Sequence, residues 1–207
     1  MERRSFITSS SLLLAGFALG GHAGDAAAQA RTANRAAATR GWSTLLDGTS
    51  MNGWRPIGDA NWRVNNGVVE ADRGNGFLVS QNSYGDVQIR AEFWVDTAAN
   101  SGIFIRCSDP DKITATNSYE VNVFDMRPDP TYGTGAIVNV AKVAPMPKAG
   151  GKWNTFDITA KGSRFTVVLN GQRTVNGAQD PKFARGWIGL QYAAGVVRFR
   201  KVEVRSI

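Results

Sequence analysis

Histidine and cysteine are almost missing from this chain, whose 207 residues contain one of each, His22 and Cys107. One histidine excludes zinc centres built on two or more imidazoles, and it would make any Ser-His-Asp triad depend on His22. One cysteine excludes an internal disulfide, a Cys-based zinc site and an iron–sulfur cluster. Helical patterning is equally scarce, since no stretch after Gly41 keeps an apolar 3.6-residue period for three turns. What is present is a globular balance of 43% hydrophobic and 20% charged residues, which excludes disordered and collagenous chains. The length suffices for one large domain with a sizeable core, or for two small ones.

The first thirty residues read as an export leader. They run Glu2-Arg3-Arg4-Ser5-Phe6-Ile7, then an apolar stretch from Leu12 to Gly21, then Ala28-Gln29-Ala30, a small-x-small cleavage pattern. The paired arginines predict a twin-arginine signal, with an ordinary secretory signal or an uncleaved anchor as the alternatives. The apolar run is short for a membrane span, so a periplasmic or secreted protein without a span in its mature form is expected. An oxidising compartment suits Cys107, which has no second thiol to mispair with. Residues 31–40 (RTANRAAATR) read as a flexible linker, leaving 41–207 as the folded domain. Cleavage after Ala30 removes His22 and leaves the net charge at +7, because Glu2 and Asp25 depart with Arg3 and Arg4. The cations are scattered singly, which argues against a nucleic-acid partner and for a solvated basic surface.

From Gly41 onward the dominant period is two. Val87, Ile89, Ala91, Phe93 and Val95 alternate with polar neighbours and with Trp94, the mark of a half-buried strand. Similar runs predict strands over 62–64, 68–71, 77–80, 101–107, 119–125, 136–141, 155–160, 165–169, 187–192 and 196–204. Asn66-Gly67 and Asn170-Gly171 predict tight hairpins, and the apolar phase slip after Phe199 predicts a β-bulge near Arg200-Lys201. Short strands separated by glycine turns predict an all-β fold: a single-domain antiparallel β-sandwich of jelly-roll type. Alternation places Glu120, Asn122 and Phe124 on one outward face and Gly102, Phe104 and Arg106 on another. If the two strands are neighbours, Arg106 faces Glu120, either in a ligand groove opened by Gly102 or as a cross-strand salt bridge on a solvated face.

Several stretches together resemble the 3-keto-disaccharide hydrolase domain family. They are LLDGTSMNGW (45–54), NWRVNNGVVEAD (61–72), NSGIFIRC (100–107), YEVNVFD (119–125), YGTGAIVNVAKV (132–143), GKWNTFDITAKG (151–162), VVLNG (167–171) and IGLQY (188–192). The resemblance implies a concanavalin-like sandwich acting on 3-keto-glycosides, as a hydrolase or as a 1,2-lyase. It also implies a separate glycoside 3-dehydrogenase upstream. Asn122 stands where family members often have Gln, and Tyr192-Ala193-Ala194 stands where many have a His.

A ketone at C3 of a sugar acidifies the hydrogen on C2, so the chemistry needs a base, a group to hold the enolate oxygen and an acid for the leaving oxygen. With no histidine in the mature domain, Glu120 is the first candidate for the base. Asp125 is the second catalytic candidate, as acid or metal ligand, and Arg106 and Lys142 are candidates to hold the enolate or keto oxygen. Asn100, Asn122 and Gln191 are the hydroxyl-binding candidates, and Trp94 and Tyr132 offer ring faces to a pyranose, as do Trp54 and Trp187 beside turns. No organic cofactor is expected; a divalent cation on oxygen ligands is compatible with the sequence. The other functions open to such a chain are a non-catalytic carbohydrate-binding module and a structural envelope protein.

Overall fold

The computed structural model describes residues 41–207; the leader and linker expected over 1–40 lie outside the described residues. Thirteen strands follow in chain order: β1 (Ser43–Leu46), β2 (Trp54–Gly58), β3 (Arg63–Asn65), β4 (Val68–Ala71), β5 (Gly76–Ser80), β6 (Val87–Val95), β7 (Asn100–Cys107), β8 (Tyr119–Val123), β9 (Lys152–Lys161), β10 (Arg164–Leu169), β11 (Gln172–Gln179), β12 (Trp187–Ala194) and β13 (Val197–Ser206). Among the described residues the only helical element is a 3-10 turn, Pro130–Tyr132. No helix there is long and apolar enough to cross a membrane.

All strand pairings are antiparallel. The larger sheet has the order β11-β10-β9-β6-β13-β4-β3, with β1 also pairing β13, and the smaller has the order β2-β5-β12-β7-β8. Alternation in β6 is complete, each odd residue from Val87 to Val95 being buried and each even one half-exposed. The two inner faces meet in one apolar core. Phe93 and Phe156 stack in it at 5.1 Å on the larger sheet, and Tyr119 of the smaller sheet reaches Phe165 of the larger at 4.4 Å.

Local signals explain the connections. Asn66 and Gly67, and again Asn170 and Gly171, hold positive φ at both central positions, as a two-residue hairpin turn requires. The register of β13 on β6 shifts between Phe199 and Lys201, where the apolar phase slips. Residues 136–141 are not a strand. They form a turn, buried at Ala136–Val138 and exposed at Asn139, which lies in the left-handed region; Ala141 N–H closes it by donating to the Ile137 carbonyl at 2.8 Å.

Candidate functional site

Two rows of cross-strand neighbours build the outward face of the smaller sheet. One row runs Glu120, Phe104, Gly189, Val79, Arg55 from β8 to β2; the next runs Asn122, Gly102, Gln191, Phe77, Ile57. Directly opposed residues of an antiparallel sheet share a face, so Glu120, Asn122 and Gln191 stand together. Gly102 between them leaves no open gap. A Cβ there would lie 3.3 Å from Phe104 Cε2 and 3.4 Å from Glu120 Cγ, so glycine lets the phenyl ring and the Glu120 stem close over the backbone.

Glu120 is 8% exposed, and among the described residues its carboxyl has no protein hydrogen bond. Burial pushes its pKa up to about 7, against the opposing pull of the Arg127 charge. Arg127 follows the strand in the turn after β8. Among the described residues its guanidinium has neither a salt bridge nor a side-chain hydrogen bond, and its charge also acts on Asp129. Sequence reasoning missed this residue; the signal is that it is the first cation after the strand carrying Glu120.

The amides beside Glu120 are incompletely satisfied. Asn122 is fully buried and donates from Nδ2 to the Tyr132 carbonyl at 2.7 Å, while its Oδ1 has no partner. Gln191 Oε1 is also buried without a partner. A buried carbonyl left unpaired costs about 1–3 kcal/mol, so native folds carry few of them. Asn100 lies further along β7, opposite Ala194, on the face of Gly102 by alternation. Tyr132 forms the rim above Asn122, with the exposed Lys142 Nζ 5.6 Å from its ring centroid.

Three sequence-based expectations are corrected. Arg106 does not face Glu120, whose cross-strand neighbour is Phe104. Between the pairs Trp187–Cys107 and Gly189–Phe104, β7 has two residues where β12 has one, a bulge with Arg106 in the left-handed region at φ 52. The bulge turns Arg106 to the opposite side, where it is 2% exposed. Its Nη1 donates to the carbonyls of Gly162 at 2.6 Å and Phe183 at 3.0 Å, and Nη2 meets Asp86 Oδ1 at 3.1 Å.

Asp125 anchors loops instead of facing substrate. Its carboxylate accepts from Thr134 Oγ1 at 2.6 Å and from the backbone N–H groups of Ala149 and Gly150 at 3.0 and 2.9 Å. A metal there would compete with those donors for the same oxygens. Trp94 lies on the outward face of the other sheet, opposite Trp153 and under Arg198 at 4.6 Å. Among the described residues no three His, Cys, Asp or Glu groups converge as a metal site.

A cover closes the middle of the Glu120 row. The loop 108–118 drops Ile113 onto Phe104, Val79 and Cys107, and Gly189 lets it sit close to the sheet, since a Cβ at 189 would lie 2.9 Å from Ile113 Cδ1 and push that methyl aside. Arg55 latches this loop, donating from Nη2 to Asp111 Oδ1 at 2.6 Å and to the Pro110 carbonyl at 3.2 Å. A cleft of about 420 Å³ lies beyond it, lined by Trp54, Arg55, Gln81, Pro110 and Trp187 but not by Glu120. This cleft is therefore not where the buried, unpaired carboxyl stands.

The sequence of residues 41–205 matches the profile of the 3-keto-alpha-glucoside-1,2-lyase-like domain family. The chain belongs to that family. Solved structures share the fold. A candidate glycosyl hydrolase from Parabacteroides distasonis aligns at 17% identity with TM-score 0.72, covering 82% of this chain and 95% of its own. The carbohydrate-binding module CBM66 from Bacillus subtilis aligns at 21% identity and TM-score 0.59, covering 76% of this chain and 98% of its own. A β-1,3-1,4-glucanase derived from a mouse hindgut metagenome aligns at 12% identity and TM-score 0.57, covering 80% and 99%. No curated protein matches the chain. Membership in the lyase-like family, on a concanavalin-like sandwich, gives this domain a glycoside-related function.

Proposed function

We propose that the domain is a glycoside-processing enzyme that eliminates or hydrolyses 3-keto-glycosides, with Glu120 as the base. The observation that carries this reading is a desolvated carboxyl without a hydrogen-bond partner, on an outward sheet face, whose pKa stands at about 7. A base poised near the working pH is half ionised there and strong enough to take a carbon-bound proton.

The ionised Glu120 removes the proton on C2. The C–H electron pair forms the C2–C3 double bond of an enolate whose negative charge rests on the former ketone oxygen. Arg127, the unpaired cation whose charge already acts on Glu120, offsets that negative charge. As the enolate collapses, the ketone re-forms, the C1–C2 double bond forms and the C1–O bond breaks; the aglycone oxygen takes a proton from water, and the hydroxide left takes the C2 proton back from Glu120. Asn122 Oδ1 and Gln191 Oε1 are acceptors only, so they take hydroxyl donors of the sugar and leave the ketone to the cation. A ketone substrate implies a glycoside 3-dehydrogenase acting beforehand.

The leader supports export through the twin-arginine route to the periplasm or beyond. Arg3→Lys with Arg4→Lys should hold the protein in the cytoplasm. The test of the activity is incubation of the purified domain with a 3-keto-glucoside and detection of the released aglycone. Turnover by wild type, and about 10²–10⁴-fold less by Glu120→Gln, is expected. An inactive wild type with and without added divalent metal, or a fully active Glu120→Gln, refutes the mechanism and leaves the carbohydrate-binding module as the reading.

A further inference from the structure

Trp54 and Trp187 do nothing in the chemistry at Glu120, yet both line the cleft of about 420 Å³ at the far end of the same sheet face. Arg55 and Glu120 end a single cross-strand row, four strand spacings or about 19 Å apart. Ile113 and its loop cross between them, so the cleft is a compartment of its own.

We propose that this cleft is a second, non-catalytic site for a neutral pyranose. Its volume lies in the range that encloses a small ligand. The half-buried Trp187 supplies an indole whose N–H has no protein partner among the described residues, and the exposed Gln81 supplies an amide in the same condition. The other polar side chains are already committed. Trp54 Nε1 donates to the Leu45 carbonyl at 2.7 Å, and Ser80 Oγ donates to the Asn82 carbonyl and accepts from Ile188 N–H.

Charge selects the ligand class. The one cation of the cleft, Arg55, pairs with Asp111 at 2.6 Å, so the compartment has no net charge to attract a uronate or a phosphate. A ring with an apolar C–H face and several hydroxyls matches an indole plus free donor and acceptor groups. The site does not depend on the reaction at Glu120. It would hold an unoxidised sugar of the same glycan, or of a neighbouring one, while the reacting ring sits elsewhere.

The test titrates maltotriose, cellotriose and laminaritriose, all unoxidised, into wild type, Glu120→Gln, Trp187→Ala, Trp187→Phe and Gln81→Ala, with calorimetry and tryptophan fluorescence as readouts. At least one trisaccharide should bind wild type and Glu120→Gln equally. Trp187→Ala and Gln81→Ala should each weaken binding by about tenfold or more, while keeping turnover of a small 3-keto-glucoside. Trp187→Phe keeps apolar packing but loses the indole N–H, so it decides the case together with the exposed Gln81→Ala if the alanine at 187 fails to fold. No binding of any trisaccharide at millimolar concentration overturns the proposal. Binding lost in Glu120→Gln but kept in Trp187→Ala, or tighter binding of a uronate trimer than of the neutral ones, also overturns it.

Discussion

Replacing Glu120 by Gln should stabilise the protein at alkaline pH while slowing the proposed reaction. In the unfolded chain this carboxyl titrates near 4.5, and in the fold its pKa is pushed up to about 7 by burial. Between those values the native state holds more protons than the unfolded state, so stability falls as pH rises through this window. Above about 7 both states are ionised and the whole cost is present; below 4.5 both are protonated and it vanishes. The pKa difference corresponds to about 3 kcal/mol, and for a domain of this size to a melting-temperature gap of roughly 6–12 °C. Glutamine has the same shape and no charge, so it removes the titration and keeps the packing. Urea unfolding of wild type and Glu120→Gln at acidic, neutral and alkaline pH reads the effect, and taking the difference between the proteins at each pH cancels every other group. The variant should match wild type near pH 4 and exceed it by about 3 kcal/mol near pH 8.5. A variant that is less stable than wild type by the same margin at every pH refutes the reasoning, because the carboxylate would then be solvated or hydrogen-bonded and no poised base.

The same titration sets the rate. kcat/KM on a 3-keto-glucoside should rise about tenfold per pH unit below about 7 and level off above it, and Glu120→Gln should lose about 10²–10⁴-fold; a flat profile from pH 5 to 8 contradicts the assignment. Arg106→Met should lower stability by about 3–5 kcal/mol in urea unfolding, because it strips donors from the carbonyls of Gly162 and Phe183 and a partner from Asp86, while the folded fraction stays active. A variant as stable as wild type but inactive would return Arg106 to the catalytic machinery. Cys107 is fully buried and burial pushes its thiol up to about 12, so a thiol reagent should label it only in unfolding urea; fast labelling of the native protein contradicts this.

The strands and turns were legible in the sequence because their causes are local. Two-residue alternation marks β6, Asn-Gly pairs mark two hairpins, and a slip of apolar phase marks the bulge in β13. Three strands were missed: β1 and β2, too short to show an alternation, and β11 (Gln172–Gln179), an edge strand in which only Val175 is buried among polar and small neighbours. Trp94 was placed on the correct, outward face of its strand but offered to the same sugar as residues that stand on the other sheet. Alternation says which residues share a face, and it is silent on which sheet a strand joins, a matter settled by partners such as Trp153 and Arg198 far along the chain. The bulge at Arg106 left no phase slip, because Cys107 packs equally well in the small outward cluster with Phe104 and Ile113. Nor does arginine advertise a positive φ as glycine or asparagine does.

Moving Arg106 off the Glu120 face changes what that face can be. With Arg106 opposite it, Glu120 would have been one half of an ordinary cross-strand ion pair, like those that cover the other sheet: Arg63 and Arg198 on Glu70, Arg90 on Asp157, Arg200 on Glu92. The register instead sets a phenyl ring beside the carboxyl. Among the described residues three buried side-chain polar atoms lack a partner, and two of them, on Asn122 and Gln191, flank Gly102 in the adjoining row. Unpaired acceptors and an unpaired carboxyl on one outward face each lower stability, and a fold selected for stability alone would replace them with apolar residues at little cost. Their clustering on one sheet, while the other pairs many of its charges, is the pattern expected where stability has been given up for a ligand.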